Sequence, residues 1–97
     1  MSVRLTVAAV GKMIRPILKA HGIVRAGLFG SLVRGELKKG SDIDVVIQPA
    51  IGMTYFDLAE LQLELKNRLK KDVDLATYRS LSRSMKPFIM REQVRVV

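Results

Sequence analysis

The stretch that decides how this chain folds is Leu28 to Ile47, LFGSLVRGELKKGSDIDVVI. Its left end closes an apolar run, Ile23 to Phe29, that reads as a strand ending at Gly30. A short helix is expected to begin at Ser31, and Gly35 to Ser41 turns to Gly, Lys and Ser, the composition of a loop. Asp42 to Gln48 is then a strand rich in β-branched residues, closed by Pro49 and Gly52. Side chains alternate along a strand, so Asp42 and Asp44 share one side while Ile43 and Val45 turn to the core.

Outward from this centre, residues 5–20 carry apolar side chains near a helical repeat, with Thr6 as N-cap and a kink or interruption expected at Pro16. Gly22 stops that helix. On the other side, Thr54 to Leu69 reads as a long helix whose Thr54 and Asp57 form a variant capping pair. Val73 to Ala76 is a short strand, Leu81 to Met90 a helix containing Pro87, and Val94 to Val97 an edge strand. Helices alternating with strands predict an α/β fold, a small sheet covered by helices, in one domain spanning 1–97.

Composition removes several function classes. The 97 residues contain no cysteine, so disulfides, thiolate zinc sites and cysteine nucleophiles are absent, and the lone His21 rules out a multi-histidine metal site. His21, next to Gly22, reads as a residue at a helix C-terminus. Apolar stretches are short and broken by charge, which predicts a cytoplasmic protein with no membrane partner. The net charge of +8 makes an anionic partner such as a nucleotide or RNA plausible without naming an activity.

The acidic residues are more informative. Of five Asp, four fall in two strand-like segments, Asp42 with Asp44 and Asp72 with Asp74. Like charges held close raise each other's proton affinity unless a cation compensates, so this pattern predicts a hard divalent ion such as Mg²⁺. Asp74 would complete the set if the two strands are neighbours. Asp72 points to the same side, and Asp74 is preferred because Asp72 abuts Lys70 and Lys71 at the strand's start. Upstream, Gly30 lets a phosphate approach the backbone, and Ser31 adds a hydroxyl at a helix start whose amides attract anions. Arg34, Lys38 and Lys39 lie between this anion cradle and the carboxylates, with Arg34 the better directional ligand and the lysines readable as a solvated loop.

Gly30–Ser31, ten intervening residues and then Asp42–Ile43–Asp44, followed by a single later Asp in VDLAT, resembles the signature of the DNA polymerase beta-like nucleotidyltransferases. By length the chain is similar to the minimal nucleotidyltransferases, the MNT antitoxins encoded beside HEPN-domain toxins. That resemblance implies a polymerase beta palm-like fold with a small mixed sheet. It also implies transfer of AMP from ATP to a hydroxyl, typically a tyrosine of the HEPN ribonuclease, with release of pyrophosphate. Gly30, Ser31 and Arg34 would then bind nucleotide, while Asp42, Asp44 and Asp74 would be the catalytic residues and the ligands of two Mg²⁺ ions. Two other readings stay open: stoichiometric masking of the toxin around a vestigial or regulatory nucleotide site, and nucleotide addition to RNA. Larger members of the superfamily add domains that hold the base or second substrate, so the resemblance implies that specificity here comes from a partner or a homo-oligomer.

Charge is unevenly spread. Residues 1–25 hold five basic and no acidic side chains, residues 26–78 seven and eight, and residues 79–97 five and one. The basic excess therefore lies outside the motif-bearing middle, in arms suited to RNA or an acidic partner. The leucines of 58–69 read as core, and Met85, Phe88 and Met90 as a short packing helix or a docking surface.

Overall fold

Alternation of apolar and polar residues is realised in a four-stranded mixed sheet of order β3-β2-β1-β4. The computed structural model describes residues 5–97. The strands are β1 (Ala26–Phe29), β2 (Ile43–Ile47), β3 (Val73–Thr77) and β4 (Val94–Arg95), and the helices α1 (Val7–Ala20), α2 (Ser31–Arg34), α3 (Tyr55–Leu69) and α4 (Lys86–Glu92). β1 runs antiparallel to both β2 and β4, whereas β2 and β3 are parallel, joined across α3. This is the small mixed sheet with helices that the sequence predicts.

One face of the sheet is the core face. Ala26, Leu28, Ile43, Val45, Ile47 and Val73 lie there with Val10, Ile14 and Leu18 of α1 and Leu61, Leu65 and Leu69 of α3. Leu63 of α3 is exposed instead, on the helix's outer side. Burial of such branched side chains, at roughly 25 cal/mol per Å² of apolar surface, holds the two long helices to the sheet. The opposite face carries Gly27, Phe29, Asp44, Val46 and Asp74, by strand alternation. Gln93 packs against Gly27 so closely that a Cβ there would collide with its amide.

Both long helices begin as their sequences predict. Thr6 Oγ1 accepts from the Ala9 amide at 3.1 Å. In α3 the box is reciprocal: Thr54 Oγ1 accepts from the Asp57 amide at 3.3 Å, and Asp57 Oδ2 accepts from the Thr54 amide at 2.8 Å. The Thr54 amide and the Thr54 hydroxyl, which donates to Asp57 Oδ2 at 3.0 Å, hold the Asp57 carboxyl below the usual carboxylate range.

Three elements depart from expectation. α1 runs through Pro16 without interruption. Pro16 and Lys12 both lie on the exposed side of the helix, away from the core face of Val10, Ile14 and Leu18. β1 begins at Ala26 because Ile23 is used earlier: its amide donates to the Leu18 carbonyl at 3.0 Å and its side chain enters the core, closing α1 after Gly22 at φ 77°. The last helix starts at Lys86 and extends to Glu92, since Ser82 turns the chain by accepting from the Met85 amide. Ile89 is its buried residue, while Met85 and Phe88 are exposed. β4 is an edge strand, as predicted, though shorter. No helix among the described residues is long and apolar enough to cross a membrane.

Removing the cap and removing core volume should separate cleanly in chemical denaturation. Thr54→Ala is expected to cost about 1 kcal/mol and Leu65→Ala about 2–5 kcal/mol. Equal losses would contradict the placement of Leu65 in the core.

Candidate functional site

Two strand pairings bring the predicted residues to one end of the sheet. Antiparallel pairing sets Phe29 opposite Asp44, so the Gly30–Ser31 turn lies beside the start of β2. Parallel pairing sets Asp74 opposite Asp44. Asp42 stands two residues before Asp44, exposed at the sheet's lip. Parity gives all three carboxylates the face that the core does not use.

Gly30 is required by the backbone twice over. Its φ of 77° and ψ of −151° suit glycine, and a Cβ there would collide with the Asp44 carboxylate. The turn and the carboxylate therefore touch. α2 is a single turn, closed by Gly35 in the left-handed region. A helix that short supplies little dipole, so the donors available at this turn are the Gly30 amide and the Arg34 side chain, both of which donate to Glu92.

Asp44 is half-buried and crowded by like charge. Burial, then Asp74, Asp42 and Glu92, push its carboxyl up to about 6, against a smaller lowering by Arg34. Asp72 takes no part: it pairs with Lys66 of α3 at 3.0 Å, outside β3. Between the two aspartates that sequence parity leaves open, the register therefore sets Asp74 beside Asp44.

Glu92 is the residue that sequence reading misses. Its Oε1 accepts from Arg34 Nη1 at 2.6 Å and its Oε2 from the Gly30 amide at 3.3 Å, with only 12% of the side chain exposed. Arg34 also donates to Glu36 at 3.1 Å. The available signal was charge: Glu92 is the single acidic residue among the five basic ones of 79–97. Ser31 is half-buried at the same turn. Lys39 lies elsewhere, lining a basic hollow of about 460 Å³ with Lys66, Lys70 and Lys71, and the Lys38 carbonyl accepts from Lys71. His21 caps α1 through its amide and pairs with Glu64 of α3 at 2.7 Å, so it ties two helices together.

Asp42 borders a hollow of about 360 Å³ formed with Ala59, Gln62, Leu63, Lys66, Asp72 and Val73. As the side chains lie, no three carboxylates or histidines among the described residues close into a metal cluster. The donor chemistry nonetheless fits a hard cation. Oxygen ligands crowd Asp44, and the site's own Arg34 compensates them only in part, being shared with Glu36 and Glu92.

Residues 12–97 match the family model described as polymerase beta, nucleotidyltransferase. A candidate protein adenylyltransferase of Methanocaldococcus jannaschii is 39% identical over 96% of this chain and 100% of its own length. The structure of a candidate minimal nucleotidyltransferase superposes with a TM-score of 0.82 at 29% identity, over 96% of this chain and 98% of that one. A crystal structure of a toxin–antitoxin with AMP-PNP superposes with a TM-score of 0.78 at 26% identity, over 90% and 72%.

Stability should report the crowding at Asp44. Its folded pKa of about 6 lies above the ~3.9 of an unfolded aspartate, so the folded state holds this proton more tightly. The associated stability is complete below about pH 4 and is lost as pH rises through about 6. In chelator, Asp44→Asn is therefore expected to stabilise the protein by about 1–2 kcal/mol at pH 7.5, a figure reduced for solvent screening, and by little at pH 4. Thermal or urea unfolding at the two pH values measures this, and a gain that does not depend on pH would contradict it.

Proposed function

This chain belongs to the polymerase beta nucleotidyltransferase family, and from that premise we propose that it transfers AMP from ATP to the hydroxyl of a tyrosine on a HEPN ribonuclease toxin, acting as its antitoxin. The observation that carries the reading is the pairing that lays Gly30–Ser31, Asp44 and Asp74 side by side. A relative described as an adenylyltransferase and a toxin–antitoxin neighbour holding AMP-PNP support the nucleotide and the kind of partner.

In this reading Gly30, Ser31 and Arg34 bind the triphosphate. The close approach of the Gly30 backbone to Asp44 puts the phosphates next to the carboxylates without an intervening side chain. Asp42, Asp44 and Asp74 would hold Mg²⁺, which when bound supplies charge neutralisation on the triphosphate and aligns attacking and leaving oxygens. Asp74, on the strand beside Asp44, takes the proton of the acceptor hydroxyl. The acceptor oxygen forms its bond to the α-phosphorus as the bond to the bridging oxygen breaks, and pyrophosphate leaves. Positioning and charge compensation do most of the work in such a transfer.

Incubation with α-labelled ATP, Mg²⁺ and the HEPN protein tests the proposal. Label is expected on the toxin, lost when its acceptor tyrosine is changed to phenylalanine. Asp42→Asn with Asp44→Asn should reduce transfer by at least about 10²-fold. Toxin neutralisation that survives both the double variant and the omission of ATP would favour stoichiometric masking. Label appearing on RNA instead would favour nucleotide addition to RNA ends.

A further inference from the structure

Glu92 occupies the donors that the proposed function assigns to phosphate. It is the last residue of α4, and both of its carboxylate oxygens are engaged, one by the Arg34 guanidinium at 2.6 Å and one by the Gly30 amide at 3.3 Å. With 12% of the side chain exposed, its charge is compensated by these groups more than by water. We propose that Glu92 is a built-in competitor for the polyphosphate of the nucleotide, a latch that holds the Gly30 amide and Arg34 until phosphate oxygens displace it. This inference rests on the reading of Gly30, Ser31 and Arg34 as phosphate ligands.

The chemistry is one of exclusion. A carboxylate and a phosphate are both anionic acceptors, and one amide hydrogen and one edge of a guanidinium cannot serve both at full strength. Glu92 also adds negative charge beside Asp44, where Asp42 and Asp74 already repel an incoming anion. Phosphate therefore gains on two counts when Glu92 leaves.

Departure needs little motion. The Gln93 amide stays on the Ile89 carbonyl at 2.8 Å, and the Tyr78 hydroxyl donates to Gln93 Oε1 at 2.7 Å, so the end of α4 is anchored immediately after Glu92. Rotation of one side chain opens the cradle while the helix keeps its place. Arg34 remains tethered by Glu36 at 3.1 Å and is not released to solvent with it. The latch returns once pyrophosphate has gone, which restores the closed state after each transfer.

Calorimetric titration of inorganic tripolyphosphate into the full chain tests this, comparing wild type with Glu92→Gln and Glu36→Gln. Glutamine is close in shape to glutamate and keeps an oxygen for the Gly30 amide. If the latched form outnumbers the open one by about ten to one, Glu92→Gln should bind tripolyphosphate about tenfold more tightly. Glu36→Gln removes an equal charge from the same arginine but leaves Gly30 untouched, and should change affinity by less than about twofold. In wild type, tripolyphosphate should also shift the Gly30 amide resonance, a measurement that needs no variant. Equal tightening in both variants would reduce the effect to general electrostatics and overturn the latch. So would equal or weaker binding by Glu92→Gln while wild type binds tripolyphosphate and transfers AMP, an outcome that leaves the proposed function standing. Absence of tripolyphosphate binding in all three proteins overturns the latch and the phosphate-cradle reading together.

Discussion

The register across β1, β2 and β3 is the constraint on which the rest depends. Phe29, Asp44 and Asp74 stand in one row across the sheet, and Leu28, Val45 and Leu75 in the next. The second row faces the helices and is held by burial. Because strand side chains alternate, sealing Val45 against α1 and α3 turns Asp44 to the other face, and a one-residue slip would bury the carboxylates and expose the core. Hydrophobic packing thus places charged groups that it never touches.

Placing them there creates an electrostatic problem that local chemistry only partly relieves. Asp44 is half-buried among Asp42, Asp74 and Glu92, and its carboxyl is pushed up to about 6. Arg34 offsets some of this, but it is shared between Glu36 and Glu92. A fold optimised only for stability would not collect these groups. Their clustering is the kind of electrostatic crowding found at candidate functional sites.

Much of the architecture is legible in local sequence. The Thr54–Asp57 box, the Thr6 cap, the β-branched run of β2 and the Gly30 turn each depend on neighbours within a few residues, so reading them requires no knowledge of the fold. Pro16 does not interrupt α1 and lies on the exposed side of that helix. The other misreadings lie at element boundaries, where burial and single hydrogen bonds decide which side of a turn a residue joins. Ile23 looks like strand but serves to close a helix, and Ser82 consumes the expected first turn of α4. Glu92 was visible as an isolated acid in a basic arm, yet its partners are 58 and 62 residues away in sequence.

What the sequence determined by itself is the set of chemical groups and their spacing: Gly30–Ser31, ten residues, Asp42 and Asp44, then a later pair of aspartates. Alternation assigned Asp42 and Asp44 to one side, because the period of a strand is a local property. Only the tertiary structure decided which strands are neighbours. Parallel pairing of β2 with β3 brought Asp74 to Asp44 and left Asp72 to Lys66, and the return of α4 over the sheet set Glu92 on Gly30 and Arg34. These choices follow from how the whole chain buries its apolar face, which no short segment encodes.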